Sequence, residues 1–173
     1  MGVEILPESE RLYELASQVV EKGSELGLTV GTAESCTGGL IAKLLTDLPG
    51  SSAAFRGGIV SYTNEVKEGV LGVPHALLTE YGAVSPQVAE AMALGARKAL
   101  GCDIALSATG VAGPDPDDRG NPIGLVYLGL AWADGCQVVT YQGGKVERER
   151  IRRQSAQTAL DLLRRHLTNL PLQ

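Results

Sequence analysis

The chain has 173 residues, 44% of them apolar and 20% charged, with a net charge of −5; these are the figures of a globular protein with an ordinary core. The acidic balance and an aromatic content of 4% argue against phosphate-backbone binding and against a stacking platform for single-stranded nucleic acid. No apolar run approaches the ~20 residues needed to cross a bilayer, and Cys36, Cys102 and Cys136, without metal-ligand spacing and without an apolar leader ahead of them, point to a reducing, cytoplasmic setting.

Residues 8–26 carry Leu12, Leu15, Ala16, Val19, Val20 and Gly23 at helical spacing, and Gly27 can close the helix as a left-handed residue. Residues 28–33 read as a short apolar strand. It runs into Thr32-Ala33-Glu34-Ser35-Cys36-Thr37-Gly38-Gly39-Leu40, and a helix follows over 40–48 until Pro49-Gly50 stops it. Ser35 therefore stands at a strand-to-helix turn. Unpaired N–H groups at a helix start attract negative charge, so one segment can supply a nucleophile and an anion site. The ordinary alternative is that Ser35 is an N-cap.

Residues 55–62 predict a strand in which Gly57-Gly58 permits close backbone approach. Thr63-Asn64 caps a short helix carrying Val66, Val70 and Leu71, and residues 76–81 make another helical piece. Ser85-Pro86 is a strong helix start, and the helix runs through Val88, Ala91, Met92, Gly95, Ala96 and Ala99 to Gly101. Residues 103–108 form an apolar strand that opens into Thr109-Gly110-Val111-Ala112-Gly113-Pro114, where small residues let the backbone approach a ligand. The polar loop 115–121 is too irregular for a calcium motif. Strands over 123–133 and 136–142 are joined at Asp134-Gly135, a two-residue hairpin signal, and a helix over 147–167 ends the pattern.

This order predicts a single-domain three-layer α/β/α fold over 1–173, with a mixed, mostly parallel sheet. If the strands ending near Ala33, Tyr62 and Ala108 are parallel neighbours, their loops meet in one crevice.

A serine in that crevice needs a base. His75 reads as a helix cap after Pro74, and His166 as a last-turn residue that meets the helix dipole. Lys67 is the other candidate. An ordinary lysine is neutral in only about one molecule in 2500 at pH 7, so a catalytic one must be buried or lie beside another cation. Tyr62, at the strand end, can hydrogen-bond the amine or relay its proton. The bare spacing leaves both residues open to being surface decoration. The basic run 145–153, interrupted by Glu147 and Glu149, reads as a solvated helix with one or two functional arginines.

The blocks ESCTGGLIAKLLTDLPGSSAAFRGGIVSYTNEVKEGVLGV, YGAVSPQVAEAMA, ATGVAGP and RERIRRQSAQTAL, in that order, resemble the CinA C-terminal domain over residues 8–167. That family includes the nicotinamide-nucleotide amidohydrolases. The resemblance implies hydrolysis of the carboxamide of nicotinamide mononucleotide to nicotinic acid mononucleotide and ammonia, a step of pyridine nucleotide salvage; no cofactor is expected, and no metal, since His75 and His166 lie apart from any cluster of carboxylates or cysteines. It implies Ser35 as nucleophile, Tyr62 and Lys67 as its partners, and Thr109 at the site. Backbone N–H groups around Cys36, Thr37 and Gly38 are then candidates for the oxyanion, and the loop from Gly110 to Gly113, Arg148 and Arg152 for the phosphate. Each arginine stays open between that role and a surface salt bridge. The helix cap passes to Thr37.

Full-length members carry a further N-terminal domain resembling molybdopterin-binding proteins, and the chain reads as the stand-alone form. A nucleotide is the expected small-molecule partner, with no nucleic acid and no membrane. A homo-oligomer, plausibly a dimer, is expected, with the helix over 86–100 at its interface. The chain departs from the family in its acidic 114–122 segment, where Asn121 stands at a position in which lysine is common. Three other readings compete. A non-catalytic pyridine-nucleotide-binding module needs the same crevice. A short-chain reductase needs a glycine-rich dinucleotide fingerprint, which ESCTGG is not. A serine-lysine peptidase needs an extended peptide groove, which nothing in the chain marks.

Overall fold

The structure, a computed structural model, describes residues 7–171; the expected domain over 1–173 extends beyond these at both ends. In chain order the elements are α1 (Glu8–Leu26), β1 (Val30–Glu34), α2 (Leu40–Thr46), a 3-10 turn (Ser51–Ala53), β2 (Phe55–Val60), α3 (Asn64–Gly69), α4 (His75–Tyr81), α5 (Pro86–Leu100), β3 (Ile104–Gly110), β4 (Leu125–Trp132), β5 (Gly135–Gln142) and α6 (Arg148–Thr168).

The strands form one five-stranded sheet in the order β2-β1-β3-β4-β5. β1 pairs parallel with β2 and β3, while β3–β4 and β4–β5 are antiparallel. The expected α/β fold with a mixed sheet is present. Its pairings divide evenly, and only β4 runs against the other strands.

Side chains alternate across the sheet, so each strand feeds two cores. Ile104, Leu106 and Ala108 of β3 pack with α1, α2 and α6 on one face, through Leu12, Ala16, Ile41, Leu45, Leu160 and Leu163. Ala105 faces the other side, where α4 and α5 pack through Leu78, Val88, Met92 and Ala96. Small residues let α5 lie close to the sheet. The Ser107 hydroxyl donates to Ala89 O at 2.6 Å and accepts from Gly129 N at 3.2 Å. A Cβ on Gly129 would stand 2.5 Å from Ala89 O, and one on Gly95 would stand 1.9 Å from Leu71 O.

The predicted caps are present at several ends. Gly27 and Gly101 close α1 and α5 with φ of 65° and 59°. Ser85 Oγ accepts from Val88 N at 3.3 Å, and Thr63 Oγ1 from Val66 N at 3.4 Å. Three local expectations shift. The β4–β5 register pairs Trp132 with Gly135, so Ala133-Asp134 form the hairpin loop. Gly135 opens β5 opposite Trp132, and a Cβ there would run into the Trp132 ring, so the position takes a glycine. His75 lies inside α4 rather than capping it, and its Nδ1 meets Glu68 Oε1 at 2.8 Å. His166 stacks on Trp132 with ring centroids 4.5 Å apart, and burial lowers its pKa. It is thereby disfavoured as the charged partner of a helix dipole.

Candidate active site

The three parallel strands end side by side, and their last backbone groups lace the loops together. Ser35 N donates to Ala108 O of β3 at 2.9 Å, and Ser61 N donates to Glu34 O of β1 at 2.9 Å. Beyond β1 the chain reverses in a turn closed by Gly38 N donating to Ser35 O at 3.0 Å. Gly38 and Gly39 have φ of 59° and 96°, a region that costs a side-chain-bearing residue strain.

Glu34, absent from the sequence-based site, supports this turn. Its carboxylate is 1% exposed and accepts from Ile41 N at 2.8 Å and Ala42 N at 3.0 Å. It therefore satisfies the first turn of α2 from the strand below. Thr37, expected as the cap, does not serve there: its Oγ1 is buried with no partner among the described residues. The residue before α2 is Gly39, in a left-handed conformation and without a side chain, so a distant carboxylate fills the role. Ser35 is not a cap either.

The Ser35 hydroxyl meets Lys67 instead. Lys67 Nζ lies 3.1 Å from Ser35 Oγ, 2.8 Å from Ser61 O and 3.3 Å from Tyr62 O. Lys67 is 1% exposed and forms no ion pair with a carboxylate among the described residues. Burial pushes its pKa below the ordinary lysine value, against a smaller raising effect of Cys36. Three acceptors around one amine suit the ammonium, and a neutral amine can in turn accept the serine proton. Cys36, next to the serine, is not a competing nucleophile, because burial pushes its thiol up to about 12.

Tyr62 joins through its main chain. Its carbonyl meets Lys67, while its phenol is 59% exposed and accepts from Arg148 Nη2 at 3.2 Å. No bond joins the Tyr62 phenol to the amine.

A cleft of about 200 Å³ opens over the pair, lined by Ser35, Cys36, Tyr62, Lys67, Thr109, Gly110 and Arg148. Ala112, in the loop expected to approach a ligand, also lines it, as do Asn64, Ala83 and Val84, which the sequence does not single out as site residues. Thr109 Oγ1 donates to Ala83 O at 2.7 Å, joining the β3 loop to the segment before α5. Ala83 and Val84 lie inside the YGAVSP block, so the signal that could have found them was present. Arg148 bridges two walls, donating to Gly113 O and to the Tyr62 phenol.

Arg152, Thr37 and Gly38 are not among the lining residues. Arg152 reaches behind the turn, with Nε donating to Cys36 O at 3.2 Å and Nη2 to Thr37 O at 3.0 Å. None of residues 115–121 lines the cleft. Asp117 folds that loop on itself by accepting from Asn121 N and Asn121 Nδ2, each at 2.7 Å. Arg119 donates to the carbonyls of Leu78, Thr79 and Glu80 at the end of α4. A larger cavity of about 340 Å³, beside Trp132 and His166 at the opposite ends of β1 and β3, places no serine beside a lysine. Among the described residues no group of three or more His, Cys, Asp and Glu is placed to hold a metal, and no helix is long and apolar enough to cross a membrane.

The fold and site define a class: a three-layer α/β protein whose central parallel strands present a serine against a buried lysine. The chain belongs to the CinA C-terminal domain family, which it matches over residues 12–167. A CinA-like protein of Geobacter sulfurreducens is 53% identical over 167 residues, 96% of this chain and 40% of that protein. The chain spans 34–40% of the length of the curated relatives it matches. Among solved structures, the competence/damage inducible protein CihA from Agrobacterium tumefaciens is 40% identical with a TM-score of 0.88, covering 96% of this chain and 100% of that one. The competence damage-inducible protein A of Klebsiella pneumoniae is 28% identical with a TM-score of 0.89, covering 92% of this chain and 99% of that one.

Proposed function

We propose that this chain hydrolyses the carboxamide of nicotinamide mononucleotide to nicotinic acid mononucleotide and ammonia, with Ser35 as nucleophile and Lys67 as base. The observation that carries the reading is the 3.1 Å approach of a buried, carboxylate-free lysine amine to the Ser35 hydroxyl. Burial lowers the Lys67 pKa from the ordinary lysine value, which raises the share of neutral amine able to take the serine proton.

The Ser35 oxygen attacks the carboxamide carbon as its proton passes to Lys67. The pyridinium ring withdraws electrons and eases that attack. Cys36 N–H and Thr37 N–H have no oxygen acceptor among the described residues, whereas Gly38 N–H is bound to Ser35 O. Cys36 lines the cleft and offers its N–H as one oxyanion donor; Thr37 lies off the lining, but its N–H belongs to the peptide whose carbonyl is turned back to Arg152 and is the second candidate, a donor of this kind being worth roughly 3–4 kcal/mol when lost. Lys67 returns its proton to the leaving amine, ammonia departs, and Lys67 then activates the water that hydrolyses the Ser35 ester.

At about 200 Å³ the cleft suits the nicotinamide ring better than a whole nucleotide. The ribose phosphate then extends over the rim, where Arg148 stands. Incubation with nicotinamide mononucleotide, followed by assays of ammonia and of the acid product, tests the reading. Saturable binding without ammonia release would replace it with the non-catalytic binding module.

A further inference from the structure

We infer that Arg152 is a positioning residue for the oxyanion site, setting the direction and polarity of the Cys36 and Thr37 N–H groups, and not a ligand of the substrate phosphate. The inference rests on Ser35 being the nucleophile.

Three of the five Arg152 N–H groups are already given to protein oxygens. Its Nε and Nη2 are given to the carbonyls of Cys36 and Thr37, and its Nη1 to Glu149 Oε2 at 3.0 Å. The side chain lies behind the turn rather than among the residues that line the cleft. Gly38 leaves room for that approach: a Cβ there would stand 3.3 Å from Arg152 Nη2 and would press the guanidinium back slightly. Arg148, Arg150 and Arg152 also crowd the N-terminal end of α6, where cations oppose the helix dipole. The pair with Glu149 is local to the helix, whereas the bonds to Cys36 O and Thr37 O reach the turn.

The peptide geometry supplies the mechanism. A trans peptide directs its N–H opposite to its carbonyl, and a carbonyl that donates electron density to a cation makes the N–H of the same unit a stronger donor. Cys36 O shares a peptide unit with Thr37 N–H, so the Nε bond aims and polarises that N–H directly. Thr37 O shares a unit with Gly38 N–H, which donates to Ser35 O. Ser35 O in turn shares a unit with Cys36 N–H. The second Arg152 bond thus reaches Cys36 N–H through two linked peptides. One guanidinium prepares both donors, and an ammonium at this position cannot hold two carbonyls in the same fork.

The test uses the full chain as wild type, Arg152→Lys and Arg152→Ala, with a fluorophosphonate as probe. The Ser35 oxygen displaces fluoride from phosphorus, its proton leaves through Lys67, and the P=O oxygen stands in for the oxyanion. Labelling of Ser35 is followed by mass spectrometry alongside thermal melting. Both variants should fold and label at least about 10-fold more slowly than wild type, and ethylguanidine added to Arg152→Ala should restore part of the rate. In Arg152→Lys, kcat should fall by the same factor for nicotinamide mononucleotide and its phosphate-free riboside, with KM nearly unchanged. A raised KM for the nucleotide alone would overturn the inference in favour of a phosphate ligand. Equal labelling of wild type and Arg152→Lys would overturn the inference and leave the nucleophile standing. A wild-type Ser35 that takes no label would overturn both.

Discussion

Replacing Lys67 probes the proposed chemistry most sharply, because its surroundings separate catalysis from folding. Lys67→Met keeps an unbranched chain of similar length in a position that is 1% exposed, and removes the amine from Ser35 Oγ, Ser61 O and Tyr62 O. The orphaned carbonyls cost about 1–3 kcal/mol each, offset in part because a desolvated amine is no longer buried. The fold should therefore survive with modest loss. Catalysis should not: loss of a general base lowers rates by about 10²–10⁴.

Lys67→Arg refines the point. An arginine sits at least about two pKa units above an ordinary lysine, so its free-base fraction is at least about 100-fold smaller. Wild-type kcat should rise with pH and level off above an apparent pKa below the usual lysine value, and this limb should vanish in Lys67→Met. The assay is initial-rate ammonia release from nicotinamide mononucleotide across pH, with melting curves for each variant. A folded Lys67→Met or Lys67→Arg retaining more than about a tenth of wild-type kcat would refute the base assignment.

Three further outcomes concern the scaffold. Glu34→Gln keeps one carbonyl oxygen for the N–H groups of Ile41 and Ala42 but turns its own NH₂ toward the other; denaturant unfolding should show a loss of about 1–3 kcal/mol. Gly95→Ala gains about 1 kcal/mol of helix propensity yet places a Cβ 1.9 Å from Leu71 O, so its melting temperature should fall, and a rise would contradict the close packing of α5. Asp103 accepts from Thr29 N and Thr29 Oγ1, both at 2.8 Å, and the first of these bonds is the main cause of its lowered pKa. A carboxyl with a depressed folded-state pKa contributes stability that is present above its unfolded pKa, about 3.9, and is lost as pH falls through the folded value. Asp103→Asn should therefore flatten the acid limb of the stability profile, read by chemical denaturation at stepped pH.

Much of this was legible in the chain because local rules and the fold agree. Helix-period leucines, Ser85-Pro86 and the glycines at 27 and 101 are short-range signals, and each helix start or end they mark is present. Ser35 and Lys67 were also named from the sequence, on chemistry and resemblance, and the parallel order β2-β1-β3 brings them to 3.1 Å. What escaped depends on three-dimensional reach. Glu34 reads as part of the strand-to-helix stretch, with no role of its own, until its carboxylate is seen under α2, seven and eight positions ahead. Tyr62 looked like a phenol partner, but the chain turning into α3 offers Lys67 its carbonyl instead. Arg152 lies more than a hundred residues from the turn it holds, a distance that no local pattern spans. The Asp134-Gly135 signal lies one residue off, since Gly135 pairs with Trp132 as the first residue of β5 and leaves Ala133-Asp134 as the loop.

The central claim is that Ser35 carries the acyl group during amide hydrolysis. Rapid acid quench during turnover of nicotinamide mononucleotide, followed by peptide mapping, should find the nicotinoyl mononucleotide ester on Ser35, and Ser35→Ala should show neither ester nor ammonia while melting like the wild type. Ammonia release at the wild-type rate by Ser35→Ala would contradict the account.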